Sequence, residues 1–276
     1  MTQIKAAEVS KLRKTTGAGM MDCKKALQES NGDFDKAIEI IRKKGQAIAN
    51  KRADRDASEG VVLAKADQNN KKGAIIVLNC ETDFVAKNED FVKFAENILN
   101  LAIEKAPEDV DALKNLQLNN KTVSENIIEQ IGIIGEKLDL PYYEKLDAEK
   151  VIAYIHPGNK LATIVGLNKE QADNQIGRDV AMQIAAMNPV SIDKNSIPKE
   201  VIDKELEIGK ELARKEGKPE NILDKIAQGR LNKFFKENTL LEQAFIKNNK
   251  MTIKQYLSKS SSDLTVTAFK RYSLKG

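Results

Sequence analysis

The chain has 276 residues, room for two domains and a sizeable core. Its 45 Lys and Arg against 41 Asp and Glu leave a charge of +4, too slight an excess to argue for nucleic-acid binding, and 41% hydrophobic with 31% charged residues describes a helix-rich globular chain. A single histidine, His156, and two cysteines, Cys23 and Cys80, exclude a zinc centre built from histidines or from a cysteine set.

Glycine patterning excludes a phosphate-cradling loop as well, because Gly17-Ala18-Gly19 is followed by Met20-Met21-Asp22-Cys23. No glycine-free apolar run exceeds the five residues of Ala74–Leu78, so no membrane span is expected. The N-terminus lacks the apolar core of a signal peptide, and two distant cysteines are expected to be free thiols in a reducing cytoplasm.

Residues 1–45 read as a three-helix unit. Ile4, Val9 and Leu12 start an apolar stripe, the Thr16–Gly19 stretch breaks it, and Met20 to Glu29 resumes it. Asn31-Gly32 ends that helix, and Asp33 caps a third one striped by Phe34, Ala37, Ile38 and Ile41. A Lys- and Arg-rich stretch follows, of which residues 46–56 read as a basic linker, partly helical at most.

Residues 57–142 open with a hairpin, Val61–Ala66 and Ala74–Cys80 around the turn Asp67–Lys72. A short loop, Glu81–Lys87, leads to a helix from Asn88 that carries Phe91, Phe94, Ile98 and Ala102 on one face. Thr122-Val123-Ser124-Glu125 is a capping box for a helix through Ile127, Ile128 and Ile131, punctuated by Gly132 and Gly135.

Hairpin, loop and helix recur over 143–195. Val151–Ile155 and Leu161–Leu167 flank His156-Pro157-Gly158-Asn159, and a helix with Ile176, Val180, Ile184 and Met187 follows. Two related α+β halves would produce this pattern, the second completed by 237–263; two unrelated hairpins would do so equally. Residues 196–236, turned back by Gly217-Lys218-Pro219, read as an antiparallel helical hairpin with a narrow apolar seam. The closing segment 264–276 alternates as a strand over Leu264–Phe269 before the basic pair Lys270-Arg271.

Two stretches are more specific. Leu12-Arg13-Lys14-Thr15-Thr16-Gly17-Ala18-Gly19-Met20-Met21-Asp22-Cys23-Lys24-Lys25-Ala26-Leu27 resembles the N-terminal signature of the bacterial elongation factor Ts family. Asn79-Cys80-Glu81-Thr82-Asp83-Phe84-Val85-Ala86-Lys87-Asn88 resembles its second signature, and the resemblance extends over essentially the whole chain. It implies a guanine-nucleotide exchange factor for elongation factor Tu. Such a protein is not an enzyme, and no catalytic residue, metal or cofactor of its own is expected. The implied fold is α+β, with an N-terminal three-helix ubiquitin-associated-like domain, a core of two similar hairpin-plus-helix subdomains, an inserted antiparallel coiled-coil hairpin and a C-terminal module.

An exchange factor must hold the empty GTPase more tightly than the loaded one, because coupling between two ligands is reciprocal. A nanomolar nucleotide complex is worth roughly 12 kcal/mol, so several kcal/mol must be offset at the protein interface. Removing the Mg²⁺ that neutralises the nucleotide's phosphates is the economical route. The resemblance assigns that dislocation to Thr82, Asp83, Phe84 and Val85, with Phe84 as the wedge and Asp83 as the hydrogen-bond acceptor that sets its angle. From the residues alone, Phe84 could equally cap the chain's own core.

Met20, Met21 and Lys24 are implied partner contacts on the first unit, with one of the two methionines expected to fill the small three-helix core. Cys23 is expected to be packed rather than reactive. Ile134, Gly135, His156 and Ile246 complete the implied contact set. Lys247 stands where some relatives have methionine, which leaves Ile246 as the apolar contact there. The expected partner is elongation factor Tu, both GDP-bound and nucleotide-free; neither a membrane nor direct nucleic-acid binding is expected, and the charged seam of the hairpin leaves a homodimer open. The rival reading, an RNA- or ribosome-binding adaptor using the basic stretch Arg42–Arg55 and the tail, meets an aromatic content of only 5%, too low for a stacking surface.

Overall fold

The computed structural model describes residues 4–275 and mixes helices with small antiparallel sheets, an α+β chain. Three helices come first: α1 (Ala6–Thr16), α2 (Met20–Glu29) and α3 (Phe34–Lys51). Asp33 caps α3 by accepting from the Lys36 N–H at 3.0 Å. Val9, Leu12, Cys23, Ala26, Leu27 and Ala37 form the core of this bundle.

Neither methionine enters that core; Met20 and Met21 are both exposed, against the expectation for one of them. Ala18 is buried over the bundle instead, its carbonyl accepting from the Cys23 thiol, and α2 turns Cys23, Ala26 and Leu27 inward. Helix α3 also continues through the start of the stretch that reads as a basic linker. Buried Gly45 and half-buried Ile48 extend its inner face, which the lysines around them conceal in the sequence.

The first hairpin is β1 (Glu59–Ala66) with β2 (Lys72–Cys80). One helical turn, α4 (Asp83–Ala86), replaces part of the expected loop and leads to α5 (Glu89–Lys105), whose cap Asn88 accepts from the N–H groups of Asp90 and Phe91. Then come α6 (Val110–Asn115), the short pair β3 (Gln117–Leu118) and β4 (Lys121–Thr122), α7 (Val123–Ile134) and β5 (Asp139–Asp147), with sheet order β1-β2-β5. The capping box of α7 is formed, with Thr122 N–H donating to Glu125 at 2.9 Å and Glu125 N–H donating to the Thr122 hydroxyl at 3.1 Å.

The second hairpin, β6 (Lys150–Ile155) and β7 (Leu161–Leu167), precedes α8 (Asn174–Met187). Helices α9 (Lys199–Lys215) and α10 (Leu223–Asn238) form the helical hairpin; at its crossing a Cβ on Gly209 would stand 3.1 Å from the Ala227 Cα. The chain ends with β8 (Ala244–Phe245), β9 (Asn248–Thr252), α11 (Ile253–Ser260) and β10 (Val266–Ser273). β10 does not stand apart: it pairs antiparallel with β7, which also pairs β6, so Val165 faces both Ile152 and Phe269. Among the described residues no helix is long and apolar enough to cross a membrane.

Contacts divide the chain into two compact units. The first takes the residues up to Leu63, Ile76–Glu144 and the last residues from Leu274; the second takes Ala64–Ile75 and Lys145–Ser273. In the first, α3 and α7 meet glycine to glycine: a Cβ on Gly132 would lie 2.8 Å from the Gly45 Cα. Ion pairs from Arg42 to Glu125 and from Lys121 to Glu129 surround this crossing. In the second, the core gathers Val165, Val180, Ile184, Leu240, Phe245 and Ile253.

Candidate partner-binding site

The segment after β2 is shaped by its own polar groups. Thr82 is the N-cap of α4, and the Val85 N–H points at its hydroxyl at 3.4 Å. The Cys80 thiol donates to the Thr82 carbonyl at 3.1 Å. A one-turn helix holds itself together poorly, so outside support is needed.

That support comes from the end of α7. Gly135, at φ 80°, closes the helix with its N–H on the Ile131 carbonyl at 2.8 Å and turns the chain back. The next residue, Glu136, accepts from the Glu81 N–H at 3.1 Å, the Thr82 N–H at 3.0 Å and the Thr82 hydroxyl at 2.7 Å. Glu81 answers by accepting from the Lys137 N–H at 2.6 Å and from Arg52 at 2.7 Å. Two adjacent pairs, 81–82 and 136–137, thus hold each other. Burial alone would raise the Glu81 pKa; the Lys137 N–H and the Arg52 guanidinium outweigh it and hold the carboxyl below its ordinary range.

On this clamped turn Phe84 projects, 83% exposed. An aromatic ring left in water while the backbone beneath it is tied down does not serve the chain's own core. Asp83 engages Lys87 one turn on, at 2.6 Å, which raises the Lys87 pKa. Phe84 and Val85 border an open groove of about 700 Å³, lined also by Phe91, Ile133, Ile134 and Glu136. Gly17, in the loop between α1 and α2, reaches the same groove. Met20, Met21 and Lys24 follow on the exposed side of α2.

The structure therefore brings Thr82, Phe84, Val85 and Ile134 to one groove, with Gly135 as the hinge that places its supporting carboxylate. His156 and Ile246 belong to the second unit. His156 is exposed at the β6–β7 turn, its Nδ1 3.0 Å from the Tyr154 hydroxyl. Ile246 is exposed at the turn between β8 and β9, and the Lys247 ammonium is drawn to Asp179 at 2.7 Å.

Comparison with known proteins bears on the whole chain. A family model described as Elongation factor TS matches residues 81–275. The elongation factor Ts of Porphyromonas gingivalis is 54% identical over 268 residues, covering 97% of each chain. That of Amoebophilus asiaticus is 54% identical over 270 residues, covering 97% of this chain and 98% of its own. That of Christiangramia forsetii is 51% identical over 275 residues, 99% of this chain and all of its own.

The chain belongs to the elongation factor Ts family. Within the stretch matched by the Ts family model lie both the Phe84 turn and Ile246, while the near-full-length relatives also cover Met20, Met21 and Lys24. Glu136, Lys137 and Arg52 went unread in the sequence. Glu136 stands 54 residues from Thr82, and a charged pair after a helix-ending glycine looks like ordinary solvated surface until the fold sets it against the turn.

Proposed function

We propose that this chain accelerates GDP release from elongation factor Tu by pressing Phe84 into the GTPase. Membership of the Ts family implies a nucleotide exchange factor for elongation factor Tu, and a binding role of this kind needs no covalent chemistry. The observation that carries the finer reading is the exposed Phe84 ring on a backbone clamped by Glu136. A rigid mount lets the ring displace partner elements instead of yielding to them, and burying it is worth about 2 kcal/mol. Displacement of the groups that hold the nucleotide's Mg²⁺ leaves phosphate charge uncompensated and speeds departure.

Met20, Met21, Lys24, Ile134 and Gly135 complete the contact surface of the first unit in this reading, and His156 and Ile246 supply contacts from the second. The three-helix segment is taken as ubiquitin-associated-like, and the hairpin-plus-helix parts β1-β2-α5 and β6-β7-α8 as related halves of the core. Action on a translation GTPase places the protein in the cytoplasm.

The test is release of a fluorescent GDP from elongation factor Tu with and without the full chain. The intact chain should speed release, and Phe84→Ala should fold with an unchanged melting temperature yet lose most of the acceleration. Full acceleration by Phe84→Ala would reject the wedge, and no acceleration by the intact chain would reject exchange.

A further inference from the structure

Helix α8 carries Gln175, Asp179 and Gln183 four residues apart, hence on one face. Asp179 and Gln183 are buried, and buried polar side chains are costly unless fully hydrogen-bonded. Their partners come from the segment around β8. The Gln183 carbonyl oxygen accepts from the Ile246 N–H at 2.9 Å, while its amide donates to the Ala244 carbonyl and to the Gln243 side chain, both at 3.1 Å. One carboxamide therefore spans both sides of Phe245.

Asp179 accepts from Lys247 and Gln175, each at 2.7 Å, and from the Tyr256 hydroxyl at 2.7 Å. The Tyr256 ring in turn stacks on buried Phe245 with centroids 4.3 Å apart. Burial would raise the Asp179 pKa, but hydrogen bonds from Lys247, Tyr256 and Gln175 prevail and keep it ionised. Three consecutive residues are thus tied down: Phe245 by stacking, Ile246 by its backbone, Lys247 by its ammonium. Of the three, Ile246 is the apolar side chain that faces outward, 43% exposed, while the exposed Lys247 chain is held at its tip by Asp179.

We propose that Asp179 and Gln183 are positioning residues that fix the turn between β8 and β9 so that Ile246 is presented as a second apolar anchor for elongation factor Tu. The inference rests on the reading of Ile246 as a partner contact. A preset turn spares the ordering cost that a mobile loop would incur on binding, so its effect falls on affinity. Truncating the anchor and loosening its mount then remove the same contribution, and the two losses do not add.

The experiment uses the full chain, titrated against elongation factor Tu loaded with fluorescent GDP, and reads the concentration for half-maximal release separately from the maximal rate. Ile246→Ala and Asp179→Asn should each raise that concentration roughly tenfold, the equivalent of one charge-assisted hydrogen bond, with the maximal rate held. The Asp179→Asn, Ile246→Ala double variant should be no weaker than Ile246→Ala alone. Lys247→Ala, at an exposed side chain, repeats the test should Asp179→Asn fold poorly. Hydrogen exchange of the Ile246 amide should quicken at least about tenfold in both mount variants. Additive losses, or an Ile246 amide that stays protected in Asp179→Asn and Lys247→Ala, would overturn the positioning role. An inert Ile246→Ala beside a defective Phe84→Ala would remove the second anchor and leave exchange itself standing.

Discussion

Glu136 shapes the exposed aromatic from a distance, and its own chemistry dictates a graded test. Alanine there removes the acceptor for two backbone N–H groups and one hydroxyl. The expected loss is about 1–3 kcal/mol of stability and most of the exchange acceleration, with Phe84 untouched. Glutamine should restore the bulk of both, since its carbonyl oxygen can accept the two N–H groups and its amide can donate to the Thr82 hydroxyl. Melting curves and GDP-release rates on both variants check this; equal defects would mean that charge, not the hydrogen-bond pattern, holds the turn. At this scale the sequence showed what is local, such as the packed Cys23 and the aromatic of the second signature. It hid what depends on partners far along the chain, such as Glu136 beneath Thr82, and it also hid which residue of the α1–α2 loop turns inward, Ala18 rather than Met20 or Met21.

Elements were legible where length and caps agreed. The box at Thr122 and Glu125, the cap at Asp33 and both hairpins follow from short-range spacing. The turn α4 was not, because four residues carry no periodicity, and the run of α3 to Lys51 was masked by lysines around the glycine that packs. That packing yields a prediction of its own. Gly132→Ala sets a methyl 2.8 Å from the Gly45 backbone and must part α3 from α7, whereas Gly45→Ala meets the Ile128 carbonyl at 3.3 Å and asks for a smaller shift. Gly132→Ala should destabilise by about 1–3 kcal/mol and Gly45→Ala by less, read as melting temperature. The reverse order would place the tight contact elsewhere.

For the molecule as a whole, the α+β class and the two hairpin-plus-helix parts could be read from pattern, but the return of β10 to β7 could not, since strand pairing across a hundred residues leaves no local mark. Function at this scale is a difference between two affinities. Calorimetry with elongation factor Tu should show far tighter binding to the nucleotide-free form than to the GDP form; equal affinities would leave no driving force for exchange. The outward Phe84 and the outward Ile246 sit in separate compact units, each on its own built support. If both proposed anchors grip the partner, the complex would come apart in stages: an incoming nucleotide would have only to loosen the first while the second still tethered the pair, so each round of exchange could finish before the proteins diffused away from one another.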